Sequence, residues 1–372
     1  MKNFFKYLSF VACAVALFTA TGCADTDGDG EGEFVWEGSQ NPENVSYRNP
    51  VWEPSLAGGT VLKSGSTFAA ISQETEWAAG VKFACPSLLS SNLMTWQSSQ
   101  EAFTYPVVTN EVDPETGEKI VTPGSMPSWI TGKISQVSAD FARTLNSYWM
   151  MYGSNADNAI GAASAPSGLG PYTDQGSLLT AEALGVQTLR EPHFSVIAST
   201  NFYLGYTTEA GSYLQQLTIN RGKKPTLRGT AKKVSGPDFT NICIFRKSSN
   251  EFYLFGAVKN GQTTEIRYAK GTTVTGPFVD RNGVEITDGS SNGELLIEGG
   301  EEFINPTNPM RLFESENGHY YLAYNATAVG RDNMPSGYAR QPLFLSPLSL
   351  DDNGWFNEVI VPKSGWTAPR FQ

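Results

Sequence analysis

Histidine is nearly absent from this chain, with two residues in 372, His193 and His319. That leaves no material for a multi-histidine metal centre and little for a serine nucleophile that needs a histidine base. Cysteine is scarce too: there are four, and no two stand at the close spacing of a zinc or redox motif. Basic residues are in deficit, since 26 Lys and Arg face 37 Asp and Glu for a net charge of −11. Phosphate backbones need a basic face, so nucleic acid is removed as a partner, while neutral sugars and cations remain. Beyond the N-terminus no long apolar run occurs. Apolar residues at helical spacing are confined to short stretches, SSNLMTW and LLTAEAL.

The one apolar run follows Lys2 and Lys6 and reads LSFVACAVALFTA, too short and too early for a membrane span. It ends in Ala20-Thr21-Gly22-Cys23, small residues leading to a cysteine. This resembles a bacterial lipobox, which implies a signal peptide over 1–22, cleavage before Cys23 and a lipid anchor on it; the alternative is an ordinary secretory signal. ADTDGDGEGE follows, acids interleaved with glycine that cannot collapse, so 23–46 reads as a flexible tether. An acidic cluster there also resembles the export signal of Bacteroidota surface lipoproteins, and implies an outer-membrane lipoprotein exposed at the cell surface. Cys85 and Cys243 then remain, far apart, and read as buried small hydrophobes.

Aromatics (12%), glycine (37) and proline (21) are plentiful. They recur as an aromatic strand after a Gly/Ser/Asn turn: SGSTFAAIS from Ser64, RTLNSYWMMYGS from Arg143, ASTNFYLGYTT from Ala198, SSNEFYLFGAV from Ser248 and ENGHYYLAYN from Glu316. Alternation of this kind between turns marks half-buried strands. Five units of four strands predict an all-β, five-bladed propeller over 47–372, with a large β-sandwich as the alternative. Small-residue strands ending in Gly-Pro-aromatic, in AIGAASAPSGLGPYTDQGSLL and EIRYAKGTTVTGPFVDRNGVEI, predict the third and fourth strands of blades.

Those two segments, with GELLIEGG and the closing ARQPLFLSPLSLDDNGWF, resemble the five-bladed propellers of glycoside hydrolase family 43, and within it the endo-1,5-α-L-arabinanases. The resemblance covers nearly all of 47–372. It implies inverting hydrolysis at the propeller axis by a base, an acid and a third carboxylate that tunes the acid, with about 6.5–9.5 Å between the reacting carboxyls.

Residue by residue, the family's Asp-Pro-Ser is matched by Glu53-Pro54-Ser55, which implies Glu53 as the base, with Trp52 beside it as a sugar platform. Its Ile-Asp-Pro is matched by Arg190-Glu191-Pro192, which implies Glu191 as the tuning carboxylate or the acid, with Arg190 and His193 near the pocket rim. The acid of the fourth blade falls on Thr240 or Asn241, neither of which is a carboxylic acid; Asp238 lies two residues earlier. Trp-Ala-Pro-Asp is matched by Ser138-Ala139-Asp140-Phe141, so Asp140 either faces the pocket or braces its strand. The metal-holding His of the fifth blade is replaced by Asn308, near Asn305. No metal ligand is assigned and no cofactor is certain; an axial Ca²⁺ lacks its imidazole.

Two functions follow. One is a family-43-like hydrolase of arabinan or a related polysaccharide, working with Glu53 and Glu191. The other is a non-catalytic surface lipoprotein that captures a glycan. Both imply an oligo- or polysaccharide partner, a membrane reached through the lipid, and a monomer.

Overall fold

The computed structural model describes residues 46–315, 318–360 and 366–367. The signal peptide expected over 1–22, the lipidated Cys23 and nearly all of the tether lie outside them.

Five sheets surround one axis. The first blade is built from Thr60–Ser64, Thr67–Ile71, Pro86–Ser90 and Gln97–Glu101. The second uses Gln136–Ala142, Ser147–Ser154, Ala159–Ala165 and Thr173–Thr180. The third uses Arg190–Ala198, Asn201–Thr208, Gly211–Thr218 and Thr226–Lys233. The fourth uses Phe239–Ser248, Glu251–Asn260, Thr263–Gly271 and Glu294–Glu298. The fifth has three strands, Phe303–Glu314, Tyr320–Ala328 and Leu343–Leu348. Each of the five aromatic repeats is the second strand of a blade, and the small-residue segments are third strands.

The period-2 alternation explains why the blades stack. Tyr148, Met150 and Tyr152 enter the apolar cluster shared with the first blade, whereas Trp149 and Met151 enter the one shared with the third. In the first blade, Leu62, Ala69 and Ile71 face the second, while Val61, Phe68 and Ala70 face the fifth. Five such clusters serve five blade interfaces. Each fully buried large apolar side chain contributes roughly 1.5–3 kcal/mol, so no blade is stable without its neighbours.

Closure comes from the start of the described chain. Val51 N–H donates to the Leu343 carbonyl (2.8 Å), and Trp52 bridges the same residue. The Asn49 side chain holds both the N–H and the carbonyl of Leu345, at 2.8 and 2.9 Å. Residues 47–52 thereby line the outer edge of the fifth blade. One insertion was not expected: a hairpin, Val107–Val112 with Lys119–Thr122, leads from the first blade to the second and exposes Val107, Val108 and Val121.

Candidate functional site

Neighbouring innermost strands are tied by hydrogen bonds around the axis. Ala139 N–H donates to Thr60 Oγ1 (3.4 Å), and Phe194 N–H to Ser138 Oγ (2.9 Å). Ile244 N–H donates to His193 Nε2 (3.2 Å), and Cys243 Sγ to the Met310 carbonyl (3.4 Å). Asn308 Nδ2 closes the circle on the Gly59 carbonyl at 3.1 Å. Two steps upstream the same strands meet again, with Val137 N–H on the Gly58 carbonyl (2.8 Å) and Asn241 N–H on Glu191 Oε2 (2.9 Å). Moving two residues along one strand moves two or three along the next, so the innermost strands run parallel and the axis has a head, where they start, and a tail.

The layer on the head side of this ring contains Gly58, Gln136, Glu191, Asn241 and Asn308. Four of the five have left-handed backbones, with φ of +54°, +57°, +50° and +47° for Gly58, Glu191, Asn241 and Asn308. Register breaks in the pairing of the third, fourth and fifth blades occur at the same places. Asparagine tolerates this conformation, but a glutamate there costs backbone strain, and strain kept by a fold clusters at sites of function.

Glu191 is half-buried, accepts from Asn241, and lies 3.6 Å from Arg190 Nε. Thr240 Oγ1 donates to the Ala257 carbonyl and Asp238 is exposed in the preceding turn. Asn308 is buried, its amide spent on Gly59 and on Asn325 Oδ1. Glu53 lies five residues before Gly58, 48% exposed and paired with Arg340 at 3.2 Å. Trp52 packs on Trp77, ring centroids 5.6 Å apart, in the cluster between the first and fifth blades, so that face is already occupied. Glu191, Thr240, Asn241 and Arg190 are thus brought together at the head; Glu53 and Trp52 are not.

For the axial Ca²⁺ implied by the resemblance, Asn308 stands in place of the imidazole with its Nδ2 spent on Gly59 and Asn325, and among the described residues no cluster of three His, Cys, Asp or Glu could hold a metal.

Asp140 and His193 belong to the tail side of the ring. Asp140 from the second blade accepts from Arg311 Nη1 of the fifth at 2.9 Å, an ion pair between blades that are not neighbours and so across the axis. Phe141 N–H also donates to Asp140 Oδ1 (2.8 Å). Burial opposes the charge on Arg311, but the Asp140 carboxylate outweighs it and holds the guanidinium above its ordinary pKa. Burial, with Arg311 second, pushes the His193 imidazole down to about 3. The ring is therefore neutral, and its Nε2 accepts from both Ile244 N–H and Ser195 Oγ (2.7 Å), which puts the proton on Nδ1. Sequence reasoning missed Arg311, although one charge inside the apolar run Met310-Arg311-Leu312-Phe313 was a usable signal. Below this pair opens a cavity of about 450 Å³, lined by residues 138–140, 193–197, 243–249 and 310–312 together with Thr60.

Comparison with known proteins agrees with this architecture. The model of the family described as glycosyl hydrolases family 43 matches residues 47–356. No curated protein matches the chain. Among solved structures, a GH43 endo-arabinanase from Bacillus licheniformis aligns with a TM-score of 0.58 at 20% identity, over 82% of this chain and 98% of that one. An α-L-arabinanase from Cellvibrio cellulosa, complexed with arabinohexaose, aligns at 0.61 and 15%, over 81% and 94%. The GH43B protein of a Bacteroides ovatus xyloglucan PUL aligns at 0.61 and 13%, over 88% and 59%. At such identities the likeness is one of fold.

Proposed function

The chain belongs to glycosyl hydrolase family 43, and from that premise we propose that it recognises an arabinan-like or related polysaccharide at the head of its propeller and holds it without inverting hydrolysis. One observation carries this reading. Of the five head-layer residues, Gly58, Gln136, Glu191, Asn241 and Asn308, a single one is a carboxylate. Inversion needs two carboxyl groups, one to activate water and one to protonate the leaving oxygen, about 6.5–9.5 Å apart. An asparagine in the position of the acid has no proton to give, and a glycine in the first blade has no base to offer.

What remains suits binding. Glu191 accepts from sugar hydroxyls while Asn241 fixes its orientation. Gln136 offers both a donor and an acceptor, and Arg190 supplies a nearby cation. The N-terminal pattern supports delivery as a lipoprotein, anchored through Cys23 and exposed on the outer membrane, where a monomeric glycan-capturing propeller would serve polysaccharide utilisation.

A second reading, hydrolysis with altered carboxylates, is favoured by family membership and by the strained glutamate itself; Glu53 would then have to leave Arg340 and approach the axis. Affinity electrophoresis through gels containing linear arabinan, or one of a panel of other polysaccharides, tests recognition. Retardation that is lost in Glu191→Gln supports a head-face site. Unretarded migration in every gel removes the capture reading.

A further inference from the structure

The tail cavity stands apart from the head layer, behind the ring of hydrogen bonds and the Asp140–Arg311 pair, and nothing in the proposed glycan recognition uses it. Its volume of about 450 Å³ falls within the range of small-molecule sites. Its charge is unusual for a chain of net −11. The lining contains three cations, Arg246, Lys247 and Arg311, and one anion, Asp140. Arg311 is satisfied by Asp140, and Lys247 by Glu251 at 3.4 Å. Arg246 has no carboxylate partner among the described residues. Its Nε and Nη1 donate to the carbonyls of Ser248 and Ile197, both at 3.0 Å, which fixes the guanidinium at the mouth with Nη2 uncommitted.

The deeper wall has the opposite character, rich in acceptors. Asp140 Oδ1 takes both Arg311 and Phe141 N–H, leaving Oδ2. Ser195 Oγ gives its hydrogen to His193 Nε2 and keeps its lone pairs. A ligand that fits this gradient carries an anionic group at one end and several hydroxyls at the other. An inorganic anion would leave those acceptors unused, and a neutral sugar would leave Arg246 unanswered.

We propose that the tail of the axis is a second binding site, for a monosaccharide-sized acidic sugar, a uronate, with its carboxylate on the fixed Arg246 guanidinium and its hydroxyls toward Asp140 and Ser195. Charge-assisted pairing of a guanidinium with a carboxylate is among the stronger polar contacts, and it is lost when either charge is removed. The site does not rest on the reading of the head face.

Isothermal titration of the protein with D-galacturonate tests this, with D-galactose and the methyl ester of galacturonate as uncharged controls. Saturable binding of galacturonate is expected, about tenfold or more tighter than that of either control. Arg246→Gln should remove that preference, while Lys119→Gln on the distant hairpin and Glu191→Gln at the head leave it intact. Equal binding of the ester, an unchanged affinity in Arg246→Gln, loss of binding in Glu191→Gln, or no heat with galacturonate would each overturn the assignment.

Discussion

Replacing His193 by glutamine should flatten the pH dependence of this protein's stability. The imidazole is buried, accepts two hydrogen bonds at Nε2, and has Arg311 and the Asp140 carboxylate near it on the axis, with Cys243 in the adjoining strand. Its pKa is pushed from 6.5 to about 3, by burial first and by Arg311 second. The folded value lies below the unfolded one, so between these limits the unfolded chain binds the extra proton. Stability therefore rises with pH through this window, is complete above about pH 6.5, and drains away as pH falls. For one such group the loss between pH 7.5 and pH 5 comes to about 2 kcal/mol, on the ordinary imidazole pKa. Carboxylates held below their ordinary values, among them Asp157, Asp280 and Asp351, contribute mainly at lower pH and act equally in both proteins. Urea unfolding of wild type and His193→Gln at several pH values isolates the difference. Glutamine can still accept from Ile244 N–H, so the variant should fold. Parallel losses in the two proteins down to pH 5 would refute a buried, neutral imidazole.

Other perturbations separate the parts of the axis. Asp140→Ala leaves the Arg311 charge without its partner; because Arg311 is one-third exposed to the cavity, about 2–3 kcal/mol of destabilisation is expected by urea unfolding, much of it recovered in the Asp140→Ala/Arg311→Met pair. Asn308→Ala removes two buried hydrogen bonds and an asparagine from a left-handed backbone, and should cost about 1–3 kcal/mol on the same assay. Gly58→Ala would bring a Cβ within 2.6 Å of the Ser135 carbonyl at a φ of +54°, so a lowered melting temperature is expected. The same crowding predicts that Gly58→Asp combined with Asn241→Glu will not generate hydrolysis, measured as reducing ends.

The blades were legible because a propeller repeats its physics. An aromatic strand must bury one face against each neighbour, so FYLGYTT and FYLFGAV announce themselves in any unit. Even the small residues of AIGAASA were readable, since a third strand beside bulky rings has little room: a Cβ at Gly161 would collide with the Tyr152 and Trp129 rings. The head layer was harder. The resemblance leaves the fourth-blade position on Thr240 or Asn241, and the left-handed backbone together with the bond to Glu191 selects Asn241 for the layer. In the first blade the likeness of Glu53-Pro54-Ser55 drew attention five residues upstream of Gly58, because a glycine offers no side chain to recognise. The pair of Asp140 and Arg311 was hidden for a different reason. It joins the second blade to the fifth across the axis, and only closure of all five blades brings the two strands face to face. The tail cavity likewise exists only once the ring is closed.

On the proposed reading, the head layer recognises a polysaccharide but lacks the second carboxylate that inversion requires. Prolonged incubation of the protein with linear arabinan, and with each polysaccharide that retards it in affinity gels, followed by assay of reducing ends, tests this most directly. Retardation of the wild type that is lost in Glu191→Gln, with no new reducing ends from either protein, is the expected result. Oligosaccharide release by the wild type that disappears in Glu191→Gln would contradict it, and would make Glu191 a catalytic group of a working hydrolase.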